Sequence, residues 1–155
     1  EPADATARSV ELADRLRRHL AGRGRLVIHD LGGGSGAMGR WLAPRLPGPQ
    51  HWVVHDRDPD LLELAAERFE TRRSDITRLA PGELAGASAV VASALLDMLT
   101  ADELARMLGA CAGLPTLIAM TAKSAKLLGR TMFDSLTRRV MSYSNVPKTL
   151  CEFSN

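Results

Sequence analysis

Apolar residues along this chain alternate between helical spacing and short continuous runs. Val10, Leu12, Leu16 and Leu20 recur at helical spacing and stop near Gly22, which predicts an amphipathic helix with its arginines in solvent. Arg25–Leu31 then reads as a short apolar strand. Met38, Trp41, Leu42 and Leu46 return to helical spacing, with Pro44 an irregularity, Pro47-Gly48-Pro49 a stop, and Trp41 expected in the core. His51–Asp56 is a second strand, and Asp58-Pro59 opens a helix through Leu62, Leu64, Ala65 and Phe69. Ala89–Ser93 supplies another strand, Thr100-x-x-Glu103 a capping box for the helix after it, and Thr116–Met120 a fifth apolar strand. Leu128, Met132, Leu136 and Val140 predict a last helix over about 124–141, with Arg130, Arg138 and Arg139 exposed and a short strand or hairpin beyond it. The alternation predicts a doubly wound α/β domain, a mostly parallel sheet with helices on both faces and its ligand at the carboxyl ends of the strands. Asp30, Asp56, Asp75 and Ser93 all fall at that edge.

The turn Asp30-Leu31-Gly32-Gly33-Gly34-Ser35-Gly36 joins the first of these strands to a helix. Glycines there permit positive φ and let bare backbone approach a ligand. Gly34-x-Gly36-x-x-Gly39 also spells the dinucleotide fingerprint, in which a pyrophosphate rests on the helix N-terminus. Asp30 separates the two readings, because a negative charge at the mouth of the site repels a pyrophosphate and attracts an ammonium or sulfonium group. Asp56 stands at a strand end twenty residues after Gly36, where a carboxylate can accept both hydroxyls of a ribose. Its structural alternative is that Asp56 only precedes a turn while Asp58 caps the following helix.

Asp30-x-Gly32-x-Gly34-x-Gly36 resembles motif I of the class I S-adenosylmethionine-dependent methyltransferases, which have a Rossmann-like fold. The resemblance implies that Gly32, Gly33, Gly34 and Gly36 line the amino-acid portion of the cofactor with Asp30 nearby, and that Asp56, with Arg57 beside it, meets the ribose. Arg73-Ser74-Asp75-Ile76-Thr77 resembles the family's third-strand segment, which implies that Asp75 contacts the adenine amino group and Ile76 packs on the ring. Ala89–Leu99 resembles the fourth strand and its loop, so Ser93 and Leu95 would line the cleft. The resemblance covers about residues 10–121 of a single domain spanning 1–155. The family closes its sheet with antiparallel sixth and seventh strands, for which Val140–Tyr143 and Thr149–Phe153 are the candidates here, so the closing hairpin is expected to be incomplete.

Composition narrows the classes. With 45% hydrophobic and 25% charged residues, the 155-residue chain can bury one core. No apolar run approaches the roughly 20 residues that cross a bilayer and no leader with a short apolar core is visible, so no membrane partner and a cytoplasmic location are expected. Cys111 and Cys151 lie in no metal-ligand spacing, His29, His51 and His55 lie on strands, and no metal site is expected. The net charge of +2 is uneven: six Lys or Arg against two Asp or Glu put about +4 in residues 121–155 and leave about −2 in 1–120. That basic tail keeps an RNA partner open, while 4% aromatic residues leave few rings to stack bases. The tail holds all three lysines, and the passage from Phe69 to Arg72 has no turn signal, so loops near 69–72 and after 121 are expected to be absent from the numbering.

In this family the sulfonium activates its own methyl group and the protein chiefly holds a nucleophile in line, so no catalytic residue need announce itself. Ser93-Ala94-Leu95-Leu96 stands where base-amino methyltransferases carry Asn/Asp-Pro-Pro-aromatic, which argues against exocyclic base methylation. An oxygen nucleophile would need a base, for which His55, Asp97 and Tyr143 are candidates. The leading expectation is methyl transfer to a small molecule. The alternatives are cofactor binding without turnover, RNA methylation through the basic tail, and an NAD-dependent oxidoreductase.

Overall fold

The computed structural model describes residues 10–93, 98–120 and 140–144. Helix α1 (Val10–Leu20) leads to β1 (Leu26–Leu31), then the glycine loop, α2 (Ala37–Leu42) and a 3-10 turn (Ala43–Arg45). Next come β2 (Gln50–Asp56), α3 (Pro59–Ala66) and β3 (Glu70–Arg73). Two 3-10 turns (Ile76–Arg78 and Pro81–Leu84) precede β4 (Ala89–Ser93), which is followed by α4 (Ala101–Ala110), β5 (Thr116–Met120) and β6 (Val140–Ser144). The strands form one sheet in the order β3-β2-β1-β4-β5-β6, every neighbouring pair parallel.

Local chemistry explains where the helices begin. Asp58 accepts the N–H groups of Asp60 and Leu61 at 3.0 and 3.3 Å ahead of Pro59, and Thr100 and Glu103 close the expected capping box on α4. The sheet is covered on both faces, as a parallel sheet requires. On one face α1 and α2 bring Leu16, Leu20, Met38 and Leu42 onto Ile28, Val91 and Leu117. On the other, α4 brings Leu104, Met107 and Leu108 onto Val90, Ala92 and Ile118. Burying each such leucine contributes about 2 kcal/mol.

Three expectations need revising. Val10 and Leu64 were read into apolar stripes, yet they are 58% and 57% exposed, because Ala13 and Ala65 occupy the inward positions. The passage without a turn signal is closed by Glu67–Phe69, whose tightness comes from N–H groups of Arg68 and Phe69 that both bond the Ala65 carbonyl at 3.1 Å. Val140–Ser144 lies parallel to β5, not antiparallel, and residues 121–139 exceed the dozen or so that a parallel crossover needs. The helix expected over 124–141 otherwise falls outside the described residues, as does Thr149–Phe153.

Candidate functional site

The carboxyl ends of β1, β2 and β4 meet at one edge of the sheet, and the glycine loop leaves from the middle of that edge. Gly32, Gly34 and Gly36 hold φ of 63°, 53° and 81°, so the expected positive-φ turn is formed. The reason for each glycine differs. A Cβ at Gly33 would stand 2.6 Å from the Asp30 carboxyl and 2.9 Å from Val54, and one at Gly36 would stand 2.8 Å from the Phe69 ring. These two are small because their own protein presses on them. Gly34 instead borders Leu61 and Asp56, at 3.5 and 3.9 Å from such a Cβ, and it is only half-buried. Bare backbone is offered there to whatever lies on the loop.

Asp30 was expected at the mouth of the site. It is fully buried, with its carboxyl beneath Gly33, because the loop folds back across the end of β1. Asp56 is half-buried at the end of β2: Oδ2 accepts the Gly34 N–H at 2.9 Å and Oδ1 accepts the Asp58 N–H at 3.0 Å. Each carboxylate oxygen can accept a further hydrogen bond. Asp58 thus caps α3, as the structural alternative had it, while Asp56 faces the loop. Arg57 is exposed beyond it.

Asp75 is exposed and accepts the N–H and hydroxyl of Thr77 at 3.0 and 2.7 Å, hydrogen bonds that hold its carboxyl below the usual range. Ile76 turns inward, 6% exposed, to pack with Leu79, Leu84 and the apolar face of α4. Ser93 ends β4, in register with Ala119; Leu95 and Asp97 lie outside the described residues. Tyr143 pairs with Ala119 across β5 and β6.

His55, a candidate base, has no exposed surface. Its Nε2 lies 2.8 Å from His29 Nδ1 and its Nδ1 lies 3.0 Å from Ser74 Oγ. Burial, then the His29 and Arg72 charges, push His55 down to about 4, and burial likewise lowers His29. Both rings are neutral at pH 7, hydrogen-bonded within the core, and out of reach of a substrate.

Three further residues shape the site without a motif to announce them. Arg40 on α2 donates to the Ser35 carbonyl at 2.5 Å, tying the loop to its helix. Leu61, 38% exposed although large and apolar, stands beside Gly34 and Asp56. Phe69 packs under Gly36 and Gly39 and against Trp52. An off-stripe leucine on α3 and an aromatic directly after a helix were the available signals for the last two. Among the described residues there is no cluster of His, Cys, Asp or Glu able to hold a metal, and no helix long and apolar enough to cross a membrane.

No family model and no curated protein matches this chain. Solved structures do. The chain is similar to the S-adenosylmethionine-bound amino pentose methyltransferase CalS10 of Micromonospora echinaspora, involved in calicheamicin biosynthesis, at 22% identity and a TM-score of 0.53 over 70% of this chain and 48% of that one. It is similar to the sugar N-methyltransferase KedS8 of a Streptoalloteichus species at 18% identity and 0.53 over 72% and 45%. It is similar to DesVI of Streptomyces venezuelae at 19% identity and 0.51 over 69% and 44%. The chain thus spans about half the length of the structures it matches. In its five parallel strands β3-β2-β1-β4-β5 with flanking helices, it has the Rossmann-like fold of the class I S-adenosylmethionine-dependent methyltransferases, from which the parallel β6 departs.

Proposed function

We propose that the chain binds S-adenosylmethionine on the glycine loop and takes part in transfer of its methyl group to a small-molecule acceptor. The observation that carries this reading is the Asp56–Gly34 bond: a strand-end carboxylate held at 2.9 Å from a half-buried glycine amide, with lone pairs remaining, fits a ribose on one side and a backbone-lined tail on the other. Gly32, Gly33 and Gly34 would border the amino-acid portion, Asp56 the ribose hydroxyls, and Asp75 the adenine, while Ile76, turned into the core, leaves the ring face to other residues. Leu61 adds an apolar wall beside the ribose acid.

When bound, the cofactor supplies an activated methyl group, and the chain's part is to hold it with the methyl accessible at the strand ends. The burial of His55 removes one candidate for a base. CalS10 and KedS8, by their descriptions, act on amino or N-bearing sugars, which supports a small-molecule acceptor here. A single domain in the cytoplasm remains part of the proposal.

A second reading has its own observation. The wholly parallel order β3-β2-β1-β4-β5-β6 is that of the dinucleotide-binding fold, so NAD is the competing ligand. Calorimetric titration with S-adenosylhomocysteine and with NAD decides between them. Binding of the first, weakened in Asp56→Ala, upholds the proposal; binding of NAD alone rejects it.

A further inference from the structure

The strand ends of β1 and β2 carry the same dipeptide, His29-Asp30 and His55-Asp56, on neighbouring parallel strands. Alternation along a strand sends each histidine to the opposite face from the acid that follows it. In the pairing of β1 with β2, Leu31 stands opposite His55 and His29 opposite Val53, so the two rings are diagonal neighbours on one face. They meet with ring centroids 5.0 Å apart and are 3% and 0% exposed.

Aliphatic side chains are the low-cost occupants of such a face, since a buried polar group left unpaired is destabilising. Here two imidazoles and a hydroxyl form a chain, Ser74 Oγ to His55 to His29, whose two links hold together only when their donors run the same way along it. With Ser74 donating to His55 Nδ1, His55 Nε2 donates to His29 Nδ1; with both donors reversed the chain is equally satisfied, and both rings are neutral either way. The same residues touch the candidate site through backbone. The His55 carbonyl accepts the Gly33 N–H at 3.1 Å, and the Ser74 N–H bonds the Asp56 carbonyl at 2.9 Å. Asp30 beneath Gly33 is the next residue after His29.

We infer that His29, His55 and Ser74 are positioning residues: by locking the ends of β1 and β2 together and β2 to the segment after β3, they set the height of Gly33 and the aim of Asp56 toward the ligand. The inference rests on the reading of that loop as a cofactor site, but its structural part can be tested without a ligand.

The experiment compares the full chain with His29→Leu, His29→Asn and Ser74→Ala. Backbone amide exchange is followed at Gly33, Gly34 and Leu108, the last on α4, away from the site, and S-adenosylhomocysteine affinity is measured in parallel. His29→Leu is expected to speed exchange at Gly33 and Gly34 about tenfold with Leu108 little changed, and to weaken the ligand about tenfold. His29→Asn, which keeps a polar group near the Nδ1 position, is expected to recover most of both. Should His29→Leu fail to fold, Ser74→Ala decides, with a roughly threefold change expected in the same direction. Unchanged Gly33 and Gly34 exchange, or equal acceleration at Leu108, overturns the inference. If the unaltered chain binds no S-adenosylhomocysteine, the proposed function fails, while the exchange data still decide whether the pair positions the loop.

Discussion

Asp30 and Asp56 stand at the carboxyl ends of adjacent strands, each preceded by histidine, and they differ in burial. Asp30 is covered completely, with Gly33 laid over its carboxyl, whereas Asp56 remains half-open and engages two backbone amides. The difference arises in the residues that follow. After β1 the chain doubles back through glycines over its own strand end; after β2 it departs through Asp58-Pro59 into α3. A strand-end acid becomes floor or contact surface according to where the next few residues go. The floor is expected to answer to stability measurements and the contact surface to ligand titrations.

The largest effect is expected from filling the space between Gly36 and the Phe69 ring. Gly36→Ala combines a φ of 81° with a Cβ placed 2.8 Å from the Phe69 ring and is expected to lose about 4 kcal/mol in urea unfolding. A loss under about 1 kcal/mol would mean that the loop is not braced from below.

Next comes acid. An unfolded histidine gains its proton near 6.5, while folded His55 stays neutral to about 4, held there by burial, by His29 and by Arg72 against the opposing pull of Glu83 and Glu70; His51 adds to the burial and Arg72 effects on His29. The unfolded state therefore binds the proton first as pH falls. Stability is full above pH 6.5 and declines toward pH 4 by on the order of 3 kcal/mol, readable as a falling urea midpoint. A flat profile over that window would show that the face beneath the two acids is not sealed.

Asp56→Ala is expected to divide the two properties: S-adenosylhomocysteine affinity falls about tenfold or more, while stability changes by about 1 kcal/mol. Equal damage to stability and affinity would make Asp56 a second floor residue and erase the contrast. The smallest effect sharpens it. Asp58→Ala removes the α3 cap two residues away and is expected to cost about 1 kcal/mol with affinity unchanged, as calorimetry on the same samples would report.

What could be read in the sequence was what local chemistry decides. Asp58-Pro59, Thr100 with Glu103, and the glycine turn specify their own conformations within a few residues, and the structure has them where the spacing put them. The depth of Asp30 was not legible, because it depends on Gly33 returning over β1, and an acid at a strand end reads the same whether or not it is later covered. The roles of Leu61, Phe69 and Arg40 escaped for a related reason: Leu61 and Arg40 belong to no spacing pattern, and the apolar spacing that includes Phe69 reads as helix packing, not as a support under the loop. The direction of β6 turns on the path of the connection before it, which hydrophobic periodicity does not encode.

The Phe69 ring carries a consequence for the order of assembly. Every recognisable part of the loop lies before residue 40, yet its underside is completed only by a side chain about thirty positions later, after β2 and α3 have been made. Closing so long a stretch of chain costs entropy that only the finished contact returns. The site should therefore mature late and all at once, when the β1-to-β3 unit snaps shut, and a fragment ending at Ala66 would contain the whole glycine motif without its shape.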